Sequence, residues 1–232
     1  MFQEIIRKGT VEEDNMKNLI LIAAPGAGKG TLSKDLLSKY DYVHISTGDL
    51  LREQVAKGDE LGKKIHEMQM SGGLVTSEIV YEALENKLNS PECNNGYILD
   101  GFPRNIEQAK EYDKMLERLN REIGLVIVLD IPREMLIERI TGRFMCKECG
   151  AIYNIYSEQM SPSVEGKCDK CEGELYQRKD DNLEAFETRY QTYLDSTTPL
   201  IDFYKEKGVL HVIDGSKGHL YTFEQVEKLL NN

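Results

Sequence analysis

The segment Ala24-Pro25-Gly26-Ala27-Gly28-Lys29-Gly30-Thr31 constrains this chain of 232 residues more than any other. It follows an apolar run, Leu19–Ala23, and opens an amphipathic stretch, which places it where a strand turns into a helix. Glycines there let backbone N–H groups curl around phosphate oxygens, and the helix N-terminus adds its partial positive charge. Lys29 sets a point charge against transferring phosphates, and Thr31 offers a hydroxyl near a magnesium ion. The bland alternative is a glycine-rich turn with no ligand, and the order of lysine and hydroxyl directly after the glycines makes it the weaker one. The general pattern carries glycine six residues before the lysine, where this chain has Ala23. A methyl group fits if the backbone there keeps a negative φ, so a local adjustment is expected and not loss of the site.

Along the rest of the chain, short apolar runs at 42–45, 97–99, 125–129 and 209–213 alternate with longer amphipathic stretches. That rhythm predicts βαβ units and a parallel sheet flanked by helices, an α/β fold. Pro132 suits the first turn of the helix after Asp130, where a missing N–H costs nothing. The segment 144–177 breaks the rhythm and reads as an insertion with its own staple. The length suits one domain with insertions better than two domains. Met16 stands as a second plausible start, so residues 1–15 are expected to be an extension preceding a domain at 16–232.

There are 29 basic and 40 acidic side chains, a net charge of −11, which argues against a polyanion-binding surface while leaving room for a local basic cleft. No apolar run approaches the roughly 18–20 residues needed to cross a bilayer, and the first residues lack the apolar core of a secretory signal. Five cysteines, four of them in two CxxC pairs with Cys93 alone, point to metal in a reducing compartment and not to a disulfide scaffold.

Cys146, Cys149, Cys168 and Cys171 form the pairs, and two knuckles at that separation supply four thiolates for one tetrahedral, structural zinc. Unpaired thiols or disulfides are the alternative, weakened by the regular spacing. A zinc ribbon can also bind nucleic acid. From Cys146 to Leu175, however, three lysines face six acids, and a net −3 repels a phosphate backbone. The metal is expected instead to hold rigid an insertion too short to bury enough apolar surface alone.

From Lys17 to about Leu230 the chain resembles the adenylate kinases of the long-lid type, a family of P-loop nucleoside monophosphate kinases. The motifs that carry the resemblance, after the phosphate loop, are Ser46-Thr47-Gly48-Asp49-Leu50-Leu51-Arg52, Gly73-Leu74-Val75-Thr76, Asp100-Gly101-Phe102-Pro103-Arg104 with Gln108, then Arg139 and Arg143, the cysteine segment, and Arg178-Lys179-Asp180-Asp181 with Arg189. The resemblance implies a five-stranded parallel sheet with two insertions, a helical one at 46–75 over AMP and a zinc-ribbon lid at 142–181 over ATP. It implies that Gly26, Ala27, Gly28, Lys29, Gly30, Thr31, Arg139, Arg143, Ile152, Tyr153 and Lys217 bind ATP. Thr47, Arg52, Gly73, Leu74, Val75, Gly101, Phe102, Pro103, Arg104 and Gln108 are expected to bind AMP, with Arg178 and Arg189 reaching across to the phosphates. Lys29, Arg104, Arg143, Arg178 and Arg189 are the expected catalytic cations, and Asp100 the acidic partner of hydrated magnesium. Other members often carry lysine at the position of Gly73, a mild change because the backbone makes that contact.

The expected activity is reversible, magnesium-dependent transfer of a phosphoryl group from ATP to AMP, by a cytoplasmic monomer that takes adenine nucleotides and neither nucleic acid nor membrane. Six of the ten arginines fall in these motifs, as bidentate phosphate recognition requires. No general base is needed, so the four histidines are given no role. A kinase for UMP or CMP is the near alternative, disfavoured by Thr47, Gln108 and the full lid. A nucleotide-binding regulator without catalysis is the distant one, disfavoured by Lys29, Asp100 and Arg104. Lid closure is a recognised property of adenylate kinases, so the resemblance also implies two moving segments.

Overall fold

The computed structural model describes residues 17–70, 75–158 and 160–231, with the side chains of residues 69 and 70 left aside. The extension expected at 1–15, together with Gly73 and Leu74, lies outside the described residues.

Apolar runs flanked by turn residues become strands β1 (Leu19–Ala23), β2 (Val43–Ser46), β3 (Tyr97–Asp100) and β4 (Leu125–Asp130). Three more, β5 (Arg143–Cys146), β6 (Ile152–Asn154) and β7 (Leu175–Tyr176), fall in the cysteine segment, and β8 (Leu210–Asp214) comes near the end. The order β2-β3-β1-β4-β8 makes one sheet of five strands, parallel at every pairing. Its strands match the apolar runs to within one residue or so; β1, β3 and β4 are buried on both faces, and the edge strands β2 and β8 are partly exposed.

Alternation along each strand divides the core into two layers. Ile20, Ile22, Leu99, Val126 and Val128 face one side. They pack there against α2 (Thr47–Lys57), α3 (Glu60–Met70), α4 (Ser77–Leu88), α5 (Ile106–Leu119) and α8 (Pro199–Glu206). Leu19, Leu21, Ile98, Ile127 and Leu129 face the other. Their partners are α1 (Lys29–Lys39), α6 (Arg133–Thr141), α7 (Leu183–Thr192) and α9 (His219–Leu230). Every residue of β1 is buried, and each fully buried Leu or Ile contributes roughly 1.5–3 kcal/mol. On the first side the phenols of Tyr97 and Tyr112 meet at 2.7 Å, so two fully buried hydroxyls satisfy each other.

Three helices that border the site begin with side-chain caps, each satisfying an otherwise orphaned N–H. Ser46 Oγ accepts from the Asp49 amide, Asn105 Oδ1 from Gln108, and Asn182 Oδ1 from Ala185. Pro132 caps α6 one residue ahead of its first turn. Between α7 and α8 the chain widens into a π-turn, Tyr193–Thr197, and π-turns are frequent near functional sites.

The cysteine segment forms a separate three-stranded antiparallel sheet, ordered β6-β5-β7. Its buried cluster is only Cys146, Tyr153, Cys168 and Leu175. At its root the backbone of Gly142 passes so close to Asn154 that a Cβ would lie 2.5 Å from Asn154 Oδ1, and no larger residue fits without displacement. Asn154 Nδ2 in turn donates to the carbonyls of Glu138 and Arg139, tying the small sheet to the end of α6.

Candidate active site and metal centre

In a parallel sheet the carboxyl ends of all strands share one edge, and a ligand crevice opens where the strand order reverses. Here β1 lies between β3 and β4, so the loop after β1 and Asp100 at the end of β3 come together. Gly28 caps α1 with φ +94° and Gly26 has φ +83°, both in the left-handed region. A Cβ on Gly26 would also stand 2.9 Å from Ile140 Cγ1 on α6. Ala23 carries no positive φ: among the described residues only Asn120 and Glu172 do so without being glycine. Its methyl is therefore accommodated as the end of β1, and its carbonyl accepts a hydrogen bond from Lys29 Nζ at 3.1 Å.

Burial lowers the pKa of Lys29. The charge of Asp100 opposes that, and Arg104 and Arg189 reinforce it, so four expected site residues share one electrostatic neighbourhood. Burial alone would raise the pKa of Asp100, but His44, Lys29 and Arg104 outweigh it and hold this carboxyl below the usual range. His44 Nε2 lies 3.6 Å from Asp100 Oδ2 and has no hydrogen-bond partner. The sequence reading gave His44 no role. Its only sequence signal is strand alternation, which sets residue 44 beside Ser46, the register partner of Asp100.

The segment expected to hold a second nucleotide is ordered by its own backbone bonds. Gly101 has φ +80°, and its carbonyl accepts from Arg104 Nε at 2.7 Å and from Thr47 Oγ1 at 3.5 Å. The Arg104 amide donates to Gln108 Oε1 at 2.7 Å, and the Arg104 carbonyl accepts from Thr197 Oγ1 in the π-turn at 3.0 Å. Gln108 thus positions Arg104, and Thr197 is a partner the motifs did not reveal. Phe102 and Pro103 are buried, and Phe102 joins Ile45, Thr47, Leu50, Val80 and Leu84 around a small apolar crevice. Arg52 is exposed and paired with Asp49, and Val75 packs against the edge of the core.

Arg143 of the lid and Arg189 of α7 are already partnered. Arg143 grips Asp181 through two hydrogen bonds, Nε to Oδ2 at 2.8 Å being one, and the Asp181 side chain is wholly buried. Arg189 Nη1 lies 2.9 Å from Asp180 Oδ2. Both aspartates stand in a motif that was read for its arginine alone. Arg178 is not gathered with Lys29: it is exposed, with Nε 3.1 Å from Met145 Sδ on β5. Arg139, whose pKa is lowered by burial, donates to the Gly215 carbonyl at 3.0 Å, beside Lys217. Lys217 is exposed and lies over the Tyr221 ring.

In the lid the sulfurs of Cys146, Cys149, Cys168 and Cys171 all lie within 4.8 Å of one another. Four convergent sulfurs with no disulfide among them fit a tetrahedral zinc, whose Zn–S bonds of about 2.3 Å span a cluster of that size. The Cys168 thiol is lowered to about 6, chiefly by the Tyr153 hydroxyl. Ile152 and Tyr153, expected to contact ATP, sit on β6, and the Tyr153 ring turns into the cysteine cluster and is 7% exposed. Its side chain is therefore not presented to the phosphate loop.

Comparison with known proteins agrees with this geometry. The family model described as "Adenylate kinase" matches residues 21–209. A protein named adenylate kinase from Archaeoglobus fulgidus is 48% identical over 214 residues, covering 92% of this chain and 97% of the relative. Another from Thermodesulfovibrio yellowstonii is 48% identical, covering 85% and 91%. One from Caldicellulosiruptor bescii is 47% identical, covering 91% and 98%. A family match over residues 21–209, with relatives 47–48% identical across most of both chains, establishes that this chain belongs to the adenylate kinase family.

Proposed function

We propose that this protein is an adenylate kinase that catalyses magnesium-dependent, reversible transfer of the γ-phosphoryl group of ATP to AMP, giving two ADP. The observation that carries the reading is the convergence of Lys29, Asp100, Arg104 and Arg189 at the carboxyl edge of the sheet, beside a glycine-shaped anion cradle.

The α-phosphate of AMP, with a second pKa of about 6, is already largely dianionic at neutral pH and needs no general base. One of its oxygens forms a bond to the γ-phosphorus as the bond to the β–γ bridging oxygen breaks, and ADP leaves carrying that electron pair. The chain's task is alignment and charge compensation. On this reading the 26–31 backbone and Lys29 hold the β- and γ-phosphates, and Arg104, fixed at Nε, amide and carbonyl, aims its free guanidinium nitrogens at AMP. On this reading Thr47, Phe102, Gln108, Arg52 and Val75 border the AMP side, and the expected contacts of Gly73 and Leu74 fall outside the described residues. Magnesium, when bound with ATP, neutralises phosphate charge, and Asp100 is the carboxylate placed to hold its water shell. Arg143, Arg178 and Arg189 serve the phosphates once released from their present partners, and Arg139, Lys217 and the Ile152–Tyr153 backbone border the adenine of ATP. Segments 46–75 and 142–181 are the two parts that close, and water exclusion is the reason they must.

The four cysteines hold a structural zinc, a reading supported by the sulfur geometry. Among the described residues no helix is long and apolar enough to cross a membrane. Two cysteine pairs aimed at one metal, with no disulfide among them, support a reducing, cytoplasmic setting, and a monomer is the reading for oligomeric state. A coupled assay of ADP formation from ATP and Mg²⁺, with AMP, UMP, CMP and GMP offered in parallel, tests the function. Strong preference for AMP is expected. Preference for a pyrimidine would overturn the AMP site, and no turnover with any acceptor would leave a binding protein.

A further inference from the structure

Tyr153 brings β6 and the second cysteine pair together through a single oxygen. Its hydroxyl lies 2.7 Å from the amide nitrogen of Asp169 and 3.3 Å from Cys168 Sγ. An amide N–H can only donate, so at Asp169 the phenol oxygen is an acceptor and its own proton remains free. When Cys168 is a metal-bound thiolate its sulfur has no proton to give, so the contact is made by the phenol proton. Cys168 is 1% exposed and Tyr153 7%, which leaves no room for water to replace this bond. Asp169 is also anchored, because its carboxylate accepts from the Ser163 amide at 2.9 Å.

We propose that Tyr153 is a positioning residue of the lid's metal centre, its hydroxyl donating a hydrogen bond to the Cys168 thiolate and fixing that sulfur toward its three partners. This rests on the reading of the four cysteines as a zinc site. It differs from a nucleotide-contacting role for the same side chain, because both bonding capacities of the hydroxyl are used inside the lid. Outer-shell partners of this kind typically change metal affinity by about 10–100-fold when removed. The small sheet has little apolar packing to hold the sulfur otherwise.

The test compares the full-length wild-type protein with Tyr153→Phe, which keeps the ring and removes only the hydroxyl. Zinc content per chain is measured first, then the rate of zinc loss to excess EDTA, followed with a chelating dye. One zinc per wild-type chain, and loss about tenfold faster from the variant, is the expected result. As a second variant, a ring-fluorinated tyrosine at position 153 makes the phenol a stronger donor, and slower loss is expected. Equal loss rates for wild type and Tyr153→Phe, each with one zinc bound, overturn the proposal and leave the zinc site standing. A raised KM for ATP in Tyr153→Phe with unchanged zinc loss overturns it in favour of nucleotide contact. A wild-type chain that holds no zinc overturns the metal reading and the proposal together.

Discussion

The five-stranded core and the cysteine lid of one chain are stabilised by different physics. In the core β1 is buried at all five positions and two apolar layers enclose it. Among the described residues of the lid four form the buried cluster, and two of them are cysteines. Folding the core draws on apolar area removed from water. The lid has too little of that, and on the proposed zinc reading it draws instead on ligand bonds to the metal, whose binding free energy becomes folding free energy. The site lies between the two, with its nucleotide cradle on the core and several of its cations at the lid. Catalysis, core stability and lid stability should therefore be separable by mutation.

The largest expected effect falls on chemistry alone. Removing one preorganised charge from a phosphoryl-transfer site typically costs about 10²–10³ in kcat. Lys29→Ala and Arg104→Ala are each expected to lose at least that much turnover while both melting temperature and lid structure persist. Near-normal turnover in either would remove these residues from the mechanism. Next comes the core. Leu99 is fully buried on β3, and Leu99→Ala is expected to destabilise the protein by about 2–5 kcal/mol, read by denaturant unfolding. Zinc content should not change in that variant. Loss of metal in parallel would mean that core and lid fold as one unit.

For the lid, Cys149→Ser, or chelation of the wild type, should lower the melting temperature or add an earlier transition, with the far-ultraviolet signal of the sheet retained until the core melts. On the proposed zinc reading Cys149 is a structural ligand, so a large loss of turnover at unchanged stability would contradict its assignment. The smallest effect is electrostatic. Asp100 has a folded pKa below its unfolded value of about 3.9, so its contribution to stability is present above that value and disappears as pH falls through the folded pKa. The stability gap between wild type and Asp100→Asn should accordingly narrow below about pH 4. A gap independent of pH would show that His44, Lys29 and Arg104 do not stabilise the carboxylate.

Different parts of the site were legible for different reasons. The phosphate loop is local: glycines at fixed offsets, a lysine and a hydroxyl suffice, and even the tolerance of Ala23 followed from backbone conformation. The cysteine pairs are nearly local, since ligand spacing announces a metal before any fold is known. The central strands β1 and β4 were the most readable, because burial on both faces makes them almost uniformly apolar. Side-chain partners were not legible. Whether Arg143 meets Asp181, His44 faces Asp100, or Thr197 holds the carbonyl of Arg104 depends on elements far apart in the chain.

Tyr153 marks the boundary most clearly. The resemblance named it only as an ATP contact, and the direction of its ring was set by packing, which turned it into the cysteine cluster. The sequence by itself determined the succession of the five core strands, the glycine-lysine-threonine loop and the two cysteine pairs, because each follows from periodicity or short-range spacing. Only the tertiary structure decided which charges neutralise one another and which hydroxyls orient them, because hydrogen bonds and ion pairs act over a few ångströms and the chain brings those partners together only when folded.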